Sequence, residues 1–207
     1  MKPTELQEMF LAFREQCIWL RCYYNTYSAL CESGDETKEL LAASASIFFD
    51  NLNAIFSEYS WLQVCKVTDP EESMGRKNPT FEHLNATLRD ANRMTDEITL
   101  FSAGFSRYRE LGKGGRNKFI SHLDIEAVLK GQAIGEQVQE EVTVFFEILY
   151  GYVDAVGNAV DVWPLDFRAS AGACDVIDLI KTLKNARQFL PATSLRNRDD
   201  SALTLSQ

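Results

Sequence analysis

Arg116, Asn117 and His122 bring a permanent cation, a polar amide and an imidazole that titrates near neutrality into one short segment. The chemistry that suits such a set is metal-free cleavage of RNA, in which the ribose 2′-hydroxyl attacks the adjacent phosphorus. Histidine removes or returns a proton, and arginine balances the charge that develops on the phosphoryl oxygens. Both an acid and a base are wanted, yet the segment offers a single imidazole. A two-fold dimer that brings two copies of His122 together supplies the pair. His83, the chain's other histidine, reads as a helix-start or packing residue. Spacing alone is weak evidence, because an arginine near a helix start commonly caps it or pairs with a carboxylate such as Asp124.

On a regular helix, residues six apart point about 240° around the axis, so Arg116 and His122 do not share a face without help. Three glycines in Gly112-Lys113-Gly114-Gly115 offer that help, since glycine is a poor helix former. A break there places Arg116 in the turn before a new helix, where unpaired backbone N–H groups favour an anion such as phosphate. Charge is distributed to match. The chain carries a formal −9, which opposes nonspecific attraction to nucleic acid, but Arg107, Arg109, Lys113, Arg116 and Lys118 face only Glu110 between positions 105 and 118. Arg107, Arg109, Lys113 and Lys118 are therefore the expected substrate-binding cations. The same glycines lack the preceding strand of a dinucleotide fold and the Lys-Ser/Thr ending of a phosphate loop, so both readings are rejected. Trp19, Tyr23, Tyr24 and Tyr27 read as core or dimer contacts in preference to a base-stacking platform.

The elements that must position this segment are helical. Thr4 and Gln7 form a capping box, and Leu6, Phe10, Phe13, Cys17, Leu20, Tyr24, Tyr27 and Cys31 alternate steps of four and three up to a stop at Ser33-Gly34-Asp35. A second helix is predicted from about Glu36 to Val67, with Leu40, Leu41, Ile47, Phe48, Leu52, Ile55, Tyr59 and Leu62 on its inner face. A polar loop from Asp69 to Pro79 leads to a helix opening at Thr80, with apolar spacing continuing from Leu84 to Leu111 and a break near Asp90. Further helices are predicted at about Asn117–Lys130, Gly135–Val160 and Cys174–Leu190, and the polar residues after Ala192 read as a frayed tail. The expected architecture is all-α, a bundle of five to six helices forming one domain over residues 1–190, with 191–207 a flexible tail.

Forty-five per cent hydrophobic content over 207 residues suffices for one sizeable core. Acidic residues near Met1 leave no secretory signal, and no run is expected to approach a membrane span, so the expected location is the cytoplasm. Cys17, Cys22, Cys31, Cys65 and Cys174 form no Cys-x-x-Cys pair and, with two histidines, give no zinc spacing. They read as reduced packing residues, and neither metal nor cofactor is expected.

Arg-Asn-Lys-Phe-Ile-Ser-His-Leu-Asp, from Arg116 to Asp124, resembles the signature of the HEPN superfamily (higher eukaryotes and prokaryotes nucleotide-binding), an arginine followed after four to six residues by histidine. It looks most like the abortive-infection U-type (AbiU-like) branch. Val67-Thr68-Asp69-Pro70, Asn78 to Leu84 and Gly172 to Leu183 also resemble that branch, over roughly residues 40 to 190. The resemblance implies a HEPN-like helical bundle, a homodimer formed through the motif-bearing helices, and in many members a metal-independent endoribonuclease acting in phage defence or a toxin-antitoxin pair. It matches Arg116 to the family arginine, Asn117 to the polar residue beside it and His122 to the catalytic histidine. Partners implied are RNA and an antitoxin or regulatory protein, with no membrane. The other reading is a noncatalytic HEPN module that binds RNA or protein. Asp124 stands where some HEPN toxins carry a modifiable tyrosine, Ser121 where close relatives carry alanine, and the glycine-rich run departs from a continuous helix.

Overall fold

The computed structural model describes residues 4–73, 75–115, 139–165 and 175–189. Among these it contains six α-helices, α1 (Glu5–Tyr27), α2 (Asp35–Thr68), α3 (Phe81–Asp90), α4 (Asp96–Gly115), α5 (Gln139–Ala159) and α6 (Val176–Phe189), so the fold is all-α as expected. Each start and stop has a local cause. Thr4 N–H donates to Gln7 Oε1 at 2.8 Å and Gln7 N–H returns to Thr4 Oγ1 at 3.3 Å, which is the anticipated capping box of α1. Thr80 caps α3 by accepting from the His83 N–H. That helix stops where Asn92 turns left-handed at φ 53°, with Arg93 N–H closing onto Leu88 C=O at 2.8 Å. Thr95 Oγ1 then accepts from Ile98 N–H to open α4.

Several expectations need correction. α1 does not continue as α-helix to Cys31; its last turn widens to a π-turn over Ser28–Glu32 before Gly34, at φ +87°, ends it. α2 leaves helical geometry at Ala45 (φ −164°, ψ 74°). Leu40 and Leu41 before that kink are buried as predicted, but Ile47 is 76% exposed and Phe48 and Ile55 are each 59% exposed. A single inner face cannot persist past a residue that rotates the helix about its own axis. By length and composition alone α2 is apolar enough to cross a membrane, which overturns the expectation that no run approaches a span; only 11% of its best window is buried. The loop after α2 contains a minimal antiparallel ladder, β1 (Glu72–Ser73) on β2 (Arg76–Lys77), turned through Gly75 at φ +74°. Finally, the glycines at 112, 114 and 115 do not interrupt α4, which is helical through Gly115. Extending a formed helix fixes one residue per hydrogen bond gained, so glycine's propensity penalty of about 1 kcal/mol each does not force a break. The helix predicted at Asn117–Lys130 and the tail after Ala192 lie outside the described residues, as do the start of the helix predicted at Gly135–Val160 and the terminal residues of that predicted at Cys174–Leu190.

The chain groups into two compact units, one of Met1–Tyr24 with Ser57–Ala169 and one of Asn25–Phe56 with Ser170–Gln207. The first holds an aromatic core. Tyr152 on α5 meets Phe13 of α1 edge-on at 5.7 Å and Phe105 of α4 at 5.3 Å, and Phe81 of α3 packs on Phe105 at 5.1 Å. Its hydroxyl donates to Asn85 Oδ1 at 2.9 Å, so the one polar atom the ring carries inside is satisfied. Two glycines set the spacing of α4 and α5. Gly104 faces Ile148, and Gly151 faces the ring of Phe101 so closely that a Cβ there would overlap it. The second unit pairs the π-turn with α6, and Lys184 reaches Glu36 at 3.1 Å. Asp175 Oδ1 accepts from Ile177 N–H at 2.8 Å and so caps α6.

Candidate functional site

α4 carries the basic residues singled out above toward its C-terminal end, and α5 supplies much of what holds that end in place. Tyr108 is buried there, and its hydroxyl donates to the Glu141 carbonyl at 2.8 Å. Burial is the main reason its phenol is pushed above the usual tyrosine range, and the charge of Arg107 partly opposes the shift. Arg107 itself is exposed and pairs with the Glu141 carboxylate at 3.2 Å. Arg109 is more enclosed and donates to Glu82 on α3. Both expected substrate-binding arginines thus stand on the helix that leads to Arg116, and both are engaged by carboxylates. Lys113 lies one turn beyond Arg109 on the same helix. Arg116, Asn117, Lys118 and His122 lie outside the described residues.

A second arrangement escaped the reading of residue spacing. His83, on the first turn of α3, places Nδ1 3.1 Å from Glu71 Oε1, at the foot of the β1–β2 hairpin. The foot is pinned: Asn78 N–H donates to the Glu71 carbonyl at 2.8 Å, and Asn78 Nδ2 donates to the Pro70 carbonyl at 3.1 Å. Glu82 joins the two groups, one oxygen accepting from Arg109 and the other from the Glu71 N–H at 3.4 Å. An imidazole, two carboxylates and a guanidinium therefore form one connected network across the hairpin, α3 and α4. Because an ionised carboxylate only accepts, the His83 ring presents its Nδ1 proton to Glu71. Twelve residues separate the pair, a distance no helical periodicity reports. The only hint in the sequence was that His83 falls in the Asn78–Leu84 word and Glu71 directly follows the Val67–Pro70 word.

Of the cysteines, Cys17 and Cys65 are buried, and burial pushes the Cys17 thiol far above its ordinary range, as suits a packing residue. Cys31 is half-buried, and desolvation raises its thiol as well. Trp19 stacks on Tyr23 at 5.9 Å, and Tyr23 meets Tyr59 edge-on at 4.8 Å. Among the described residues no group of three or more histidine, cysteine or acidic side chains is placed to hold a metal ion.

Comparison with known proteins gives one positive finding. The model of a HEPN family described as AbiU2 matches residues 3–171. The match begins well before the region in which the resemblance was legible and runs from α1 past α5, taking in the whole segment from Arg116 to Asp124. No curated protein and no solved structure gives a significant match.

Proposed function

The chain belongs to the AbiU2 family of HEPN domains, and on that footing we propose that it is a metal-independent endoribonuclease serving abortive infection, the context for which the family is named. The observation that carries the reading is the family match over residues 3–171, within which the arginine and histidine of the signature are both present as Arg116 and His122. His122 transfers a proton, Arg116 stabilises the phosphoryl charge and Asn117 orients it. Arg107, Arg109, Lys113 and Lys118 hold the RNA backbone electrostatically. RNA is the substrate, a second copy of the chain is the partner, and an antitoxin or regulatory protein restrains the activity. The protein works in the cytoplasm without a membrane partner; an exposed Asp50 and the kink at Ala45 both interrupt the apolar stretch of α2.

His122→Ala is expected to slow cleavage of total RNA by about 10²- to 10⁴-fold while leaving far-UV circular dichroism unchanged. An unaltered rate removes His122 from the mechanism. A second reading, a noncatalytic HEPN module that binds RNA or protein, draws support from the formal −9 charge and from the carboxylates that occupy Arg107 and Arg109. It predicts RNA retention without cleavage by the wild-type protein.

A further inference from the structure

Between Leu40 and Glu58 the sequence carries a single charge, Asp50, although most of the residues from Ala42 to Asp50 are exposed. A helix face turned to water is ordinarily dressed with charged side chains, and a contiguous apolar one marks a contact surface. Leu30, Leu41, Phe49 and Leu52 line an open groove of about 290 Å³ there, which Lys38 and Asp50 also border. Beside the groove, Phe48, Leu52 and Ile55 step by four and three along α2 after its kink and so form one apolar ridge, with Phe48 and Ile55 exposed. Leu52 belongs to ridge and groove alike. We propose that this face is an interface with a second copy of the chain, in which the ridge of each copy enters the groove of the other and each Lys38 pairs with the partner's Asp50.

A two-fold contact must be self-complementary, and this face holds both a ridge and a groove and both signs of charge. Ser44 lies midway between Lys38 and Asp50, six residues from each, or about 9 Å along a helix. Two antiparallel copies of α2 that cross there bring each Lys38 beside the partner's Asp50, in both halves at once. A parallel pairing sets like charges against each other. Ala42, Ala45 and Ser46 at the crossing are exposed and small, so the two backbones can approach closely. Lys38 and Asp50 are both exposed, and neither forms an ion pair among the described residues, so both charges are available to a partner. A lipid surface suits the face less well, because Asp50 stands within the apolar stretch and would enter without a counter-charge. None of these residues belongs to the signature segment, and the inference does not depend on whether the chain cuts RNA.

The test is sedimentation equilibrium of the full chain over a range of concentrations, for wild type, Lys38→Glu, Asp50→Lys, the double variant, an equimolar mixture of the two single variants, and Phe48→Asp. Each single charge reversal turns two attractive pairs into two repulsive ones and is expected to weaken an association step roughly 10- to 100-fold. The double variant and the mixture restore opposite charges in both pairs, so both are expected to associate nearly as tightly as wild type. Phe48→Asp, at an exposed position, is expected to weaken the same step with circular dichroism unchanged. If the single reversals and Phe48→Asp associate as tightly as wild type, the face is not an interface and the proposal is overturned, while a second copy held elsewhere stands. Weakening that neither the double variant nor the mixture reverses overturns the pairing of Lys38 with the partner's Asp50, and the proposal with it. A wild type that stays monomeric at every concentration removes both this interface and the second copy of the functional reading. If that monomer co-sediments with phosphatidylcholine vesicles, the face belongs to lipid instead.

Discussion

Gly151→Ala offers a sign test of how α4 is seated. In the middle of an exposed helix, replacing glycine by alanine stabilises by about 1 kcal/mol, because alanine loses less backbone entropy and has the highest helix propensity. At Gly151 the new methyl would overlap the ring of Phe101, which reaches across from α4. Overpacking of that kind costs roughly 1–3 kcal/mol, and a head-on meeting with a planar ring that has only two torsions lies toward the upper end. The steric term therefore wins, and the variant is expected to lose about 1–2 kcal/mol net. For a chain of this size that is a fall of about 2–8 °C in the unfolding midpoint. Gly104→Ala should be milder, since its Cβ would meet the Ile148 Cδ1 at 2.8 Å, the far end of a side chain that can swing aside. Thermal and urea unfolding followed by circular dichroism measure both. Phe101→Ala in the Gly151→Ala background should recover part of the loss, because it removes the obstructing ring. A rise of the midpoint by about 2–4 °C in Gly151→Ala alone, the value expected from propensity without a clash, would refute the close approach of α4 and α5.

Two further consequences concern the core. Tyr152→Phe leaves Asn85 Oδ1 without the donor that now reaches it at 2.9 Å, and is expected to destabilise by about 1–3 kcal/mol in urea unfolding, with no loss of helical signal under native conditions. Asp154 has its carboxyl raised above the usual range, first by burial and then by the charge of Glu97. The folded chain thus binds this proton more tightly than the unfolded chain, so the penalty of the charged form is absent in acid and grows as pH rises through the carboxylate range. Asp154→Asn should consequently raise the midpoint at neutral pH, with the gain disappearing on acidification; a gain independent of pH would rule out this cause.

Much of the scaffold could be read residue by residue, and the parts that could not share a physical reason. Thr4 with Gln7, Gly34, Thr80 and the break after Asp90 are local signals: a cap, a left-handed stop or a missing helical partner is decided within one turn of chain. The burial of Phe10, Phe13, Cys17 and Leu20 follows from their alternating spacing for the same reason. Features set by distant neighbours were missed. Ile47, Phe48 and Ile55 have core-like periodicity, yet a backbone departure at Ala45 turns them outward. Three glycines near the end of α4 look like a break, yet all three are helical. Gly104 and Gly151 look unremarkable until two helices are laid against each other. His83 reads as a helix-start residue, which it is, but its Glu71 partner is supplied by a hairpin that no hydrophobic pattern announces. At the site itself, the sequence supplied the Arg116–His122 signature, and the family match from residue 3 to residue 171 extended the resemblance toward the N-terminus while stopping short of the Gly172–Leu183 word.

The chemistry of the fragment ends bears most directly on the central claim. Purified protein incubated with RNA in excess EDTA should release fragments ending in 2′,3′-cyclic phosphate and 5′-hydroxyl, the products of internal 2′-oxygen attack, and His122→Ala should release almost none. Fragments bearing 3′-hydroxyl and 5′-phosphate ends, or cleavage that stops on chelation, would contradict the account.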